Sequence, residues 1–194
     1  MLPERKKCLQ QMVNKIVEDI NKALDADAYL AALALALMLP DICSKAEYGD
    51  VKNRYIIWYD EYIGDYDKVG RIEGEEGLPW LSGEVVYSLR CNFLHQGTPN
   101  IDTCRIKEES NKIDHFVLII QKKNRFDLYA SLSDVSKNNY NNKITRDYKI
   151  NIRQFCLVIC NVAKNYYKNN RDKFDFINYT IIDWDKEQMN RGKL

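Results

Sequence analysis

A chain of 194 residues with 45% hydrophobic and 29% charged side chains can bury a sizeable core and is too apolar to be disordered throughout. Its formal net charge of +1 excludes a polycation that coats nucleic acid by charge alone, so any such contact has to be local. Six cysteines, at 8, 43, 91, 104, 156 and 160, include no CxxC pair, and Cys156 and Cys160 have no neighbouring cysteine or histidine to complete a zinc set.

From Pro3 the apolar positions Cys8, Met12, Val13, Ile16, Val17, Ile20 and Leu24 recur with helical period, and Pro3 suits a first turn. Asp25 or Asp27 can cap a second helix that runs to about Glu47, with Pro40 expected to kink or divide it and Gly49 to end it. Its run AYLAALALALML is about twelve residues long, short of the roughly twenty needed to span a bilayer. A helix buried on most sides of a bundle is the better reading. A third pattern, RYIIWYDEYIG, sets Tyr55, Trp58, Tyr59 and Tyr62 on one side and stops at Gly64.

Residues 60–76 read as an acidic, glycine-rich surface connection. Pro79 restarts a helix, LPWLSGEVVYSLRCNFLHQG, which Gly97 and Pro99 end. The runs DHFVLII and RFDLYASL, separated by QKKN, predict a two-stranded hairpin, with YKI as a candidate third strand. Asn151 and Gln154 predict a capping box that opens a fifth helix, IRQFCLVICNVAKNYYKNN. The tail FDFINYTIIDW suits a short strand against the hairpin. The chain thus reads as one mainly α domain over 1–194: a bundle of about five helices (core 3–97 and 151–170) with a β-hairpin or three-stranded appendage at 113–150, inserted before the last long helix.

The chemistry-bearing feature is YSLRCNFLHQG at 87–97, which holds one of the two histidines. On a helix Arg90 and His95 project about 140° apart and about 7.5 Å along the axis. Ser88, Asn92 and His95 share a polar strip with Arg90 beside it, while Leu81, Val85, Leu89 and Phe93 can face a core. A guanidinium suits phosphate oxygens and the charge that develops on them, and an imidazole exchanges protons near neutral pH. One chain offers only His95 and His115, so two-fold pairing of this helix with its copy would supply a second His95 and Arg90 to one cleft. The same residues also suit a plain helix terminus, since a histidine in the last turn is favoured by the helix dipole.

SLRCNFLHQG resembles the R-x4-6-H motif of the HEPN (higher eukaryotes and prokaryotes nucleotide-binding) superfamily, and the stretch from about Tyr29 to Gly97 is similar to bacterial HEPN-like proteins of unassigned role. The resemblance implies an α-helical bundle and a homodimer that meets through the motif helix. It also implies a metal-independent endoribonuclease that cleaves by 2′-OH transesterification and leaves a 2′,3′-cyclic phosphate. Such members act as toxins, phage-defence effectors and RNA-processing enzymes, with an antitoxin or other protein as partner; some are non-catalytic dimerisation, nucleotide-binding or interaction modules. On that pattern Arg90, His95 and Asn92 are the catalytic candidates, with Ser88 and Cys91 beside them. Cys91 stands where the family commonly has Asn or Asp.

Residues 137–173 carry nine basic side chains against Asp147 and Asp172, interleaved with tyrosines. This is either a single-stranded RNA track, with Lys149 and Arg153 as contacts, or a solvated face. No GxxxxGK[ST], GxGxxG, HExxH or GxSxG occurs, so NTPase, dinucleotide, zinc-protease and serine-hydrolase readings lose their usual support. Reduced cysteines in the cytoplasm are the expectation, with no metal, no cofactor and no membrane element.

Overall fold

The computed structural model describes residues 12–65, 67, 79–121, 129–137, 144–177 and 183–191. In chain order the elements are α1 (Met12–Asp25), α2 (Tyr29–Tyr48), α3 (Arg54–Tyr59) continuing into a π-helical turn (Asp60–Gly64), and α4 (Gly83–Gln96). There follow β1 (His115–Ile119), β2 (Ala130–Lys137), β3 (Ile144–Asn151), α5 (Ile152–Asn169) and α6 (Trp184–Arg191). The architecture is mainly α, with a small sheet placed before the last long helix.

Each predicted helix is present, and burial follows the apolar period. Helix α1 buries Val13, Ile16, Val17, Ile20 and Leu24; the predicted turn before it, at residues 3–11, lies outside the described residues. Helix α2 is the one described helix long and apolar enough to cross a membrane by length and composition. Its packing is that of a core helix: it touches α1, α3, α4 and α5, and Ala32, Leu33, Ala36, Leu37, Leu39 and Cys43 are fully enclosed. Pro40 does not divide it, because the helix runs unbroken to Tyr48. Neither Asp25 nor Asp27 caps it. Ala28 is the N-cap, and Asp27, in the left-handed region at φ 57°, accepts a 2.7 Å bond from the Tyr29 hydroxyl instead.

Helix α3 buries Tyr55, Trp58 and Tyr59 as predicted, but the chain does not become a loop at Asp60. It widens into the π-helical turn, which ends at Gly64. That turn lets the Asp60 carboxylate accept from the backbone N–H of Gly83 at 2.6 Å, capping α4 from another helix. The rest of the predicted acidic connection, at 66 and 68–76, lies outside the described residues. Helix α4 starts at Gly83 rather than Pro79, with Ser82 as N-cap accepting from Val85 N at 3.3 Å. The segment before it is held extended against the rest of the fold, with the Trp80 N–H donating to Asn111 Oδ1 at 2.6 Å. A Cβ on Gly83 would sit 2.4 Å from the Ile56 carbonyl oxygen, so this glycine is what lets α4 lie directly on α3. Gly97, at φ 71°, ends α4 with its N–H on the Phe93 carbonyl.

The predicted hairpin between the first two strands is not formed. The order is β1-β3-β2: β3 lies in the middle, parallel to β1 and antiparallel to β2. The physical reason is burial. Tyr148 and Ile150 of β3 are enclosed, Phe116 of β1 packs edge-on against Tyr148 at 6.3 Å, and β3 runs straight into α5. All of the link QKKN after Gln121 and the start of RFDLYASL fall among residues 122–128, outside the described residues, as does the Asn-rich link at 138–143. The capping box at Asn151 is present, with Gln154 N donating to Asn151 Oδ1 at 3.2 Å. Helix α5 then buries Ile152, Phe155, Cys156, Ile159, Cys160 and Ala163 in one continuous core with α1 to α4. In the tail, Phe174 sits in a short 3-10 turn against Tyr167 and Trp184 opens a helix, so the predicted strand is absent among the described residues.

Candidate functional site

Helix α4 carries the motif, and its neighbours decide which side chains are free. The inward side is Val85, Val86, Leu89 and Asn92, all buried. One flank lies under the loop that follows the helix. Glu84 accepts from the backbone N–H of Lys107 at 2.9 Å, and Ser88 donates to the Glu84 carbonyl at 2.9 Å. The Asn92 carboxamide donates to the Asn100 carbonyl at 2.7 Å and accepts from the Cys104 thiol at 3.8 Å. The predicted polar strip is real as a strip. Asn92, with Glu84, holds the 98–107 segment against the helix, Ser88 bonds back to its own helix, and neither Ser88 nor Asn92 bonds His95.

The outward face is Tyr87, Cys91 and Leu94, with Tyr87 38% exposed. Arg90 and His95 flank this ridge on opposite sides, as their angular separation of about 140° requires. Arg90 leans toward α2, where its guanidinium meets Asp41 Oδ2 at 2.7 Å; both side chains are about three-quarters enclosed. Cys91 Sγ lies 3.9 Å from the same guanidinium. Burial works against the Arg90 charge, but Asp41 and Cys91 outweigh it and hold the guanidinium above its ordinary range. The Arg90 Nε is buried with no hydrogen-bond partner, so the group has donor capacity left. His95 is exposed, one turn from the Gly97 stop. Within one chain the imidazole and the guanidinium do not converge.

The remaining candidates scatter. His115 opens β1 and its Nδ1 pairs with Asp147 Oδ1, its cross-strand neighbour, at 3.0 Å. Lys149 is half-buried on β3. Arg153 is committed to the fold. It donates to the Leu24 carbonyl at the end of α1, lies 3.6 Å from Asp25, stacks over Tyr29 and is only 11% exposed. The exposed bases of α5, Lys164 and Lys168, sit toward its other end, about 16 and 22 Å along the axis from Arg153. Lys173 is tied to Glu47 at 2.6 Å. Of the basic residues of 137–173, Arg153 and Lys173 are thus engaged by the fold, while Lys164 and Lys168 are exposed. Sequence reasoning did not reach Asp41, the partner of Arg90, or Asp60, the cap of α4. Their partners lie 49 and 23 residues away, and no local spacing signals such pairs. No cluster of three or more metal-ligating side chains occurs among the described residues.

Comparison with family models, curated proteins and solved structures gives no match for this chain.

Proposed function

We propose that the protein is a cytoplasmic, homodimeric, HEPN-type metal-independent endoribonuclease, acting in phage defence or as the toxin of a toxin–antitoxin pair. The observation that carries the reading is the outward face of α4. An apolar Tyr87–Cys91–Leu94 ridge has an arginine on one flank and an exposed histidine on the other. Two such ridges packed parallel about a two-fold axis bring Arg90 of each copy toward His95 of the other, which a single chain cannot do. Met38, one turn before Asp41 on α2, is 40% exposed and adds apolar surface on that helix. In the dimer His95 serves as base for the ribose 2′-OH or acid for the leaving oxygen, and Arg90 stabilises the charge on the phosphorane. Asn92 holds the helix end through the 98–104 loop and acts through position rather than contact.

The test is RNA cleavage in EDTA by the full chain, compared with Arg90→Ala and His95→Ala. Loss of cleavage in both, with 2′,3′-cyclic phosphate ends in the wild type, supports the proposal; cleavage that survives both sinks it. Mixing the two inactive variants adds a second readout, because hybrid dimers regain one intact composite site.

A second reading has its own observation. Arg90 is already ion-paired with Asp41, and that pairing fits a helix used for assembly alone, the non-catalytic module of the same superfamily. An intact dimer with no cleavage of any RNA favours it.

A further inference from the structure

Away from α4, the π-helical turn, Tyr129 and the C-terminal half of α5 enclose an open cavity of about 580 Å³, within the roughly 300–1,000 Å³ of small-molecule sites. The chain builds it deliberately. The π-helical turn contributes Tyr62 and Ile63 to its lining, and Val158 and Val162, one turn apart on α5, add apolar surface. Tyr62 is held in place by Trp58, stacked on it at 5.0 Å, and by the edge of Tyr166 at 5.3 Å.

Into this mostly apolar space projects one carboxylate, Asp67. Its hydrogen-bonding contact is the Tyr129 hydroxyl at 3.5 Å, at the limit of a bond, and no cation among the described residues faces it. Burial pushes its pKa up to about 6. A desolvated carboxylate with so little compensation is costly to a fold, and such groups collect where a ligand supplies what the protein does not. Asn165 and Asn169, one turn apart at the mouth, are exposed amides with no partner among the described residues.

We propose that this cavity binds a guanine base, its N1–H and 2-amino group on the Asp67 carboxylate, its ring against the tyrosines, and its 6-oxo group toward the asparagine amides. The selection follows from donor and acceptor order. A carboxylate offers two parallel acceptors, and guanine alone among the common bases presents two adjacent donors beside a carbonyl. Adenine and cytosine would set a ring nitrogen lone pair against a carboxylate oxygen, and uracil alternates acceptor, donor, acceptor. Tyr62, Tyr129 and Tyr166 line the same cavity as the valines, and RNA- and nucleotide-binding sites use such aromatic side chains to hold bases. The inference does not depend on Arg90 or His95.

The experiment is calorimetric titration of the full chain at pH 7.5 with guanosine, GMP, inosine, adenosine, choline, and adenosine-rich single-stranded RNA with or without one central guanosine. Guanine-bearing ligands should bind at least about tenfold tighter than inosine, which lacks the 2-amino group, and than adenosine. Asp67→Asn should remove that preference, and Val162→Phe, which fills the cavity, should weaken every ligand; thermal melts check that both variants fold. Binding of guanosine and GMP identifies a free nucleotide as the source; guanine-dependent binding of RNA alone, still sensitive to Asp67→Asn, identifies a base within a strand. Equal affinity for adenosine and guanosine, preference for choline, no binding by any guanine-bearing ligand, or a preference unchanged in Asp67→Asn overturns the proposal.

Discussion

Asp67→Asn should stabilise the protein at neutral pH and leave it unchanged in acid. The folded environment raises the carboxyl from 3.8 to about 6, through burial. That rise corresponds to about 3 kcal/mol at roughly 1.4 kcal/mol per pH unit, an upper bound for a half-buried group, for which solvent screening leaves about 1–2 kcal/mol. The sign follows from proton counting. The folded pKa exceeds the unfolded one, so between about pH 4 and pH 6 the native state holds a proton that the unfolded chain has lost. This residue's cost is therefore absent below about pH 4, grows as pH rises, and is complete above about pH 6. Asparagine keeps an acceptor for Tyr129 and carries no charge. Urea unfolding of wild type and Asp67→Asn at several pH values measures the difference directly. Taking the difference also cancels Glu47, whose depressed pKa, held by Lys173 and Tyr166, drives stability the opposite way with pH. A stability gap that is the same at pH 4 and pH 7.5, or a variant less stable than wild type at pH 7.5, refutes the reasoning.

Other perturbations test the frame around α4. Gly83→Ala places a methyl 2.4 Å from the Ile56 carbonyl oxygen and should cost about 1–3 kcal/mol, read from urea midpoints. Asp41→Ala leaves a largely enclosed guanidinium unpaired and should cost about 1–3 kcal/mol, whereas the double variant with Arg90→Met should recover part of the loss in a double-mutant cycle. Burial pushes the Cys160 thiol up to about 12 and those of Cys43 and Cys156 further, so native-state alkylation at pH 8 followed by mass spectrometry should label Cys91 and Cys104 well before these three.

The fold was legible wherever one local signal governs. The 3.6-residue period of α1 and α5, the Asn151–Gln154 cap and the Gly97 stop each depend on residues within a turn or two, so the sequence determined them. The apolar run of α2 likewise identified its central place. Tertiary structure decided what depends on distant partners. The chain alone could not put β3 between β1 and β2, because strand order is set by which face Tyr148 and Ile150 can bury and not by strand propensity. Nor could it begin α4 at Gly83, since the cap on the Gly83 N–H comes from Asp60 on another helix and the Trp80 N–H before it is held by Asn111 from a later loop. The same holds for the motif. Spacing fixed the angle between Arg90 and His95, but only packing turned Asn92 into the loop, tied Arg90 to Asp41 and left His95 open to solvent. Helical geometry is a property of neighbours in the chain; the freedom of a side chain is a property of neighbours in space.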